Sequence, residues 1–264
     1  MNARARRRAV VIASVVILPT VILPTVILAA VGVPAVGAPP PRLEPAALLE
    51  RNAAARGDRR AWDELVAFEV HGTLSVNGRE NRVRLVRDRA GRVRYERLYR
   101  DRVWIFVDDG ERGQLRDWQS ETFTPLEPAM REQLLQDVDL LAPVRSSFQR
   151  FSSFELLATA PAPGGGDLAV VRLTPAHGQP LELAIAPATG RLERATYRYL
   201  DPEDGQVYAM EVFLLEDLAL ETPSGTILLP GYQERDEGTA VTSWIPERAV
   251  ALERVDPSGF EPAP

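Results

Sequence analysis

Hydrophobic and polar positions along this chain change rhythm twice. From Ala9 to Gly37 no position is charged and most are apolar. Leu43 to Arg56 then mixes Ala, Leu and Glu, with Pro45 in a tolerated first-turn place and Gly57 as a stop, which predicts a helix. A short helical turn over Ala61–Leu65 follows, with Asp58 available to cap it. From Val66 onward the period becomes two. Val66, Phe68 and Val70, then Leu74 and Val76, share one face; Val83 and Leu85 share the next, and Val93 and Tyr95 the one after. Asn77-Gly78 is a strong hairpin signal, because the favoured two-residue turn needs positive φ at both positions. One segment keeps a helical period: Glu127–Leu141 places Met130, Leu134, Leu135, Val138 and Leu141 on one side. Strand-like pieces resume at Phe148–Thr159, Leu168–Leu173, Leu181–Ile185, Leu192–Tyr199, Val207–Leu220, Ile227–Glu234 and Thr239–Val255. The pattern predicts a mainly β (α+β) chain of about ten or eleven antiparallel strands, with an N-terminal helix and one internal helix.

Arg4, Arg6, Arg7 and Arg8 precede the uncharged run, the arrangement of an export signal. Two fates are expected for residues 1–38: a cleaved signal peptide, which is favoured, or a retained inner-membrane anchor. Val33-Pro34-Ala35 and Val36-Gly37-Ala38 offer small residues for cleavage, although Pro39 hinders the second site. The run exceeds the ~7–15 residues of an ordinary signal core and reaches the ~20 of a membrane span. Pro19 and Pro24 weaken it as a regular helix. Residues 39–264 are then expected to form a single domain in the periplasm, behind the stiff Pro39-Pro40-Pro41 tether.

Export removes most ATP- and nicotinamide-dependent chemistry. With no Cys there is no thiol chemistry, disulfide or lipid-modified N-terminus. The chain carries a net charge of −6, and losing the leader arginines makes the remainder more acidic, so nucleic acid is not an expected partner. Only His71 and His177 supply imidazoles, one in a strand and one in a turn, and no nucleophile–base or metal-binding motif accompanies them. Asp201-Pro202-Glu203-Asp204-Gly205 places its glycine too early for a calcium loop, and Gly164-Gly165-Gly166 does not lead into a helix. Both read as turns. No catalytic residue, metal site or cofactor is expected.

Two features remain. Arginines from Arg79 to Arg102 crowd consecutive strands, either as a solvated face paired to acids or as a patch for anionic headgroups or an acidic partner. Val103, Ile105 and Val107 alternate with Trp104 and Phe106, so that strand is apolar on both faces. It must be covered twice or line a cavity.

Short motifs then occur in a telling order: Leu48-Leu49-Glu50 and Ala55-Arg56-Gly57, Leu65 to Gly72 with Thr73-Leu74-Ser75-Val76, and Arg92-Val93-Arg94-Tyr95-Glu96. Phe106-Val107-Asp108-Asp109-Gly110 with Trp118, Thr189-Gly190-Arg191-Leu192, Leu228-Leu229-Pro230 and the closing Phe260-Glu261-Pro262 continue it. Across Leu43 to Pro262 the chain resembles the LolA-like superfamily of periplasmic lipoprotein carriers and outer-membrane lipoprotein-sorting proteins, with its mycobacterial lipid-binding relatives. The resemblance implies an incomplete antiparallel half-barrel whose concave face is closed by helices and holds acyl chains. It transfers no residue role, since no one arginine can be singled out as the lid-gripping residue of the carriers. It implies a non-enzymatic carrier of lipid or lipoprotein working with inner- or outer-membrane partner proteins. On this reading Glu127–Leu141 is a lid, and Leu74, Tyr95, Trp104, Phe106, Trp118, Leu134 and Val138 are candidate cavity-lining residues. The alternative is an envelope sensor or regulatory module that binds a protein on the same fold.

Overall fold

Among the described residues the strands form one thirteen-stranded antiparallel sheet built from two meanders. The first runs through β1 (Ala67–Val76), β2 (Arg79–Asp88), β3 (Val93–Tyr99), β4 (Arg102–Asp108), β5 (Gly113–Arg116) and β6 (Thr124–Pro125). The second runs through β7 (Phe151–Pro161), β8 (Asp167–Pro175), β9 (Leu181–Ile185), β10 (Leu192–Leu200), β11 (Val207–Thr222), β12 (Gly225–Asp236) and β13 (Thr239–Leu252). β1 pairs with β13 and joins the two meanders, leaving β6 and β7 as unpaired edges. The computed structural model describes residues 44–161, 165–200, 207–236 and 239–260. The leader, the proline tether, the expected turn at Asp201–Gly205 and the final Glu261-Pro262 lie outside the described residues.

The strand count exceeds the expected ten or eleven because β5 and β6 span only four and two residues, too short to show alternation. Phe148 also starts no strand: residues Arg145–Arg150 make a 3-10 turn, and β7 begins at Phe151. The other expected elements form. Asn77 and Gly78 take φ of 49° and 74°, closing the β1–β2 hairpin as its turn chemistry requires.

Helices α1 (Pro45–Arg56) and α2 (Arg59–Glu64) precede β1, with Asp58 capping α2 by accepting from the Arg60 amide at 2.7 Å. The buried Asn52 donates to the Gly190 carbonyl at 2.9 Å and ties α1 to the β9–β10 turn. Helix α3 (Pro128–Leu141) lies in the connection between the two sheet edges. Thirteen strands laid flat would put those edges roughly 58 Å apart, while fourteen helical residues span about 21 Å. The sheet instead curls, so that α3 touches β2, β4, β10 and β12 at once. Its core gathers on the concave side: Phe68, Val70, Leu85, Tyr95, Phe106, Val212 and Trp244 are all fully buried there. On the convex side Val86, Ile105, Val107 and Phe260 form a smaller cluster. The chain end thus covers the second apolar face of β4, which answers the demand its sequence makes.

Candidate functional site

Beneath α3 the concave face is not filled. A cavity of about 440 Å³ lies between the helix and strands from both meanders, within the ~300–1,000 Å³ of small-molecule sites. Leu74, Trp104, Leu115, Leu134 and Met210 supply apolar wall. Of the expected lining residues, Leu74, Trp104 and Leu134 meet here. Tyr95, Phe106 and Val138 are fully buried and pack in the surrounding core, Tyr95 edge-on to Trp104 at 5.4 Å. Trp118 lines a separate outer hollow of about 720 Å³.

The cavity also carries a polar cluster: Arg97 from β3, Asp137 from α3, Tyr197 from β10 and Glu234 from β12. The Arg97 guanidinium lies against both the Tyr95 and Trp104 rings, 4.8 and 4.7 Å from their centroids, and its Nε donates to the Tyr95 hydroxyl at 2.7 Å. Tyr197 bonds Glu234 and lies 3.3 Å from Asp137 Oδ1. A hydroxyl has one proton, so a chain from Asp137 through Tyr197 to Glu234 is complete when Asp137 is itself protonated. Burial, and then the charge of Glu234, push the Asp137 carboxyl up to about 7, with Arg97 and the Tyr197 hydrogen bond opposing. Burial likewise holds the Tyr197 hydroxyl well above its ordinary value.

This fixes a sign. The folded state keeps on Asp137 a proton that the unfolded chain releases near 3.8, so folding stability falls as pH rises from about 4 to about 7 and levels off above. Asp137→Asn removes that cost. Urea unfolding should find the variant more stable than the wild type by on the order of 2 kcal/mol at pH 8, with the gap closing toward pH 4. A gap independent of pH would refute the assignment.

Among the described residues, no group of three or more His, Cys, Asp or Glu is placed to hold a metal ion, and no helix is long and apolar enough to cross a membrane. No family model matches the sequence, and no curated protein matches it significantly. The structure is similar to that of a LolA superfamily protein from Nitrosomonas europaea, at 12% identity and TM-score 0.57, covering 83% of this chain and 98% of that one. The fold is LolA-like. The MucA/MucB complex of Pseudomonas aeruginosa also aligns, at 14% identity over 76% of this chain and 92% of that one, but its TM-score of 0.22 carries no argument.

In this LolA-like sheet the helix over the hollow is latched at both ends. Near its start, Arg131 reaches Asp108 of β4 at 2.5 and 2.9 Å. Near its end, Arg87 of β2 donates to Asp139 and to the Ala142 carbonyl, each at 2.7 Å. Arg150 holds Asp139 from the other side and Glu132 at 2.7 Å. Sequence reasoning missed Arg87, Arg97, Asp137, Asp139 and Glu234. A parity signal existed for three of them. Arg87 and Arg97 occupy the inward alternation of Val83-Leu85 and Val93-Tyr95, and Asp137 falls on the helix face of Leu134 and Leu141.

Proposed function

We propose that this protein is a non-enzymatic carrier or chaperone of the cell envelope, holding an acyl chain of a lipid or lipidated protein in the cavity beneath α3. The observation that supports the reading is the 440 Å³ of unfilled space on an otherwise packed concave face, bounded by Leu74, Trp104 and Leu134. Burial of apolar chain contributes about 0.8 kcal/mol per methylene, so about six of them bring roughly 5 kcal/mol with no directional chemistry. Tyr95, Phe106 and Val138 back this wall, and Trp118 stands at the outer hollow. The non-enzymatic reading draws on a chain without Cys, whose His71 sits on the outer side of β1, 2.5 Å from Glu69. A periplasmic location draws on the leader, and N-terminal sequencing of the mature protein tells cleavage from anchoring.

Mass spectrometry of organic extracts from the purified protein should find copurifying lipid, and a fluorescent fatty acid should bind the emptied protein and be displaced by unlabelled lipid. Leu134→Trp, which fills the hollow from the helix side, should weaken that binding by about tenfold or more without lowering the thermal midpoint. The absence of both copurifying lipid and probe binding would overturn the proposal. The alternative, a regulatory module that binds another envelope protein, draws on β7, an edge strand that exposes Phe154 and Leu156.

A further inference from the structure

The arginines between Arg79 and Arg102 differ in their partners. Arg84 pairs with Glu69 and Glu96, Arg87 with Asp139, Arg92 with Asp88, and Arg94 with Glu96. Arg79, Arg97, Arg100 and Arg102 form no ion pair among the described residues, and all four line the outer hollow of about 720 Å³. Val76, Asn77 and Arg97 belong to the walls of both this hollow and the inner cavity, so the arginine-lined hollow adjoins the apolar space.

Two details fit a binding role better than a solvated face. Arg97 is held rigidly by two aromatic rings and a tyrosine hydroxyl, which commits its Nε while its terminal nitrogens bond no group among the described residues. Asn77 lines both spaces, and none of Arg87, Asp139, Arg131 and Asp108, which latch α3, lines either.

We propose that Arg79, Arg97, Arg100 and Arg102 form a headgroup site, so that the ligand is an anionic amphiphile. Its acyl chain lies in the inner cavity and its phosphate or carboxylate head is held at the arginine-lined mouth. The inference rests on the acyl-chain reading given above. A guanidinium presents paired donors that suit a phosphate or carboxylate, and several together add both charge and fixed geometry. Asp137 and Glu234, farther in, disfavour a head that enters the cavity, so the chain leads and the head stays outside.

Calorimetric titration of the delipidated full chain with lysophosphatidylglycerol and a monoacylglycerol of the same acyl length tests it, with inorganic phosphate as a third titrant. The anionic lipid should bind about tenfold more tightly at low salt, and its advantage should shrink at high salt. In the Arg79→Gln/Arg102→Gln double variant, whose changes are at exposed positions, the advantage should vanish while the affinity for the uncharged monoacylglycerol stays unchanged. Arg97→Gln should act in the same direction. Equal binding of the two lipids by the wild type would overturn the headgroup site and leave the acyl cavity standing. Binding of neither lipid would overturn both. Phosphate binding as tightly as the anionic lipid would also overturn it, since the arginines would then hold an anion uncoupled from any chain.

Discussion

Replacing Arg87 by methionine is expected to cost about 3–5 kcal/mol of folding stability, the range for removing one partner of a buried ion pair. Arg87 is 2% exposed, and it spends two donors on Asp139 and on the Ala142 carbonyl that ends α3. Burial lowers its basicity and the Asp139 charge opposes, so the guanidinium is tolerated only because that carboxylate faces it. Methionine keeps much of the apolar stem, which isolates the charge and the hydrogen bonds as what is lost. A fall in the urea midpoint at constant slope measures the effect. Adding Asp139→Asn should recover part of it, because the leftover carboxylate charge is then gone, while Arg150 still has Glu132. If Arg87→Met unfolds at the wild-type midpoint, the latch contributes nothing and α3 is held by apolar packing alone.

Gly72→Ala should destabilise the protein by about 3 kcal/mol or more, the upper range for forcing extra volume into a packed site. A β-carbon there would lie 2.4 Å from the Ile245 carbonyl oxygen and 2.6 Å from the Trp244 indole. Both belong to β13, where the register shifts between His71 and Gly72 and Trp244 is fully buried over the seam. The seam is the one pairing that joins the two meanders, so strain here acts on the whole sheet. Trp244→Leu in the Gly72→Ala background should return only part of the loss, since the indole contact goes and the carbonyl contact remains. Denaturant unfolding of the single and double variants decides this, and an unshifted midpoint for Gly72→Ala would mean that β13 yields freely.

Much of the fold is legible because period, turn chemistry and length are local properties. The alternation from Phe68 to Val76, the Asn77-Gly78 turn and the apolar face of Glu127–Leu141 each name their element without knowledge of its neighbours. β5 and β6 escape because a strand of four or two residues carries too little pattern; only pairing, of β5 with β4 and of β6 with β5, makes them strands. The candidate site was half legible. Leu74, Trp104 and Leu134 are large apolar residues on inward faces, which is what a cavity wall and a packed core both require. Phe106 satisfies the same rule and packs in the core, while Trp118 sits in a turn after β5 and lines the outer hollow.

What the sequence determined by itself is the alphabet of the structure: which segments are strands, which face of each turns inward, and that one amphipathic helix interrupts the meander. Whether the inward side chains meet or leave space was decided only by the curl of the sheet, because that curl sets the distance between positions as remote as Trp104, Leu134 and Met210. The same holds for the charges. Arg87 and Arg97 read alike along the chain, yet one is neutralised by a carboxylate from α3 and the other is left at the cavity mouth. An ionic side chain's role depends on what lies within a few ångströms of it, and that is a property of the folded chain.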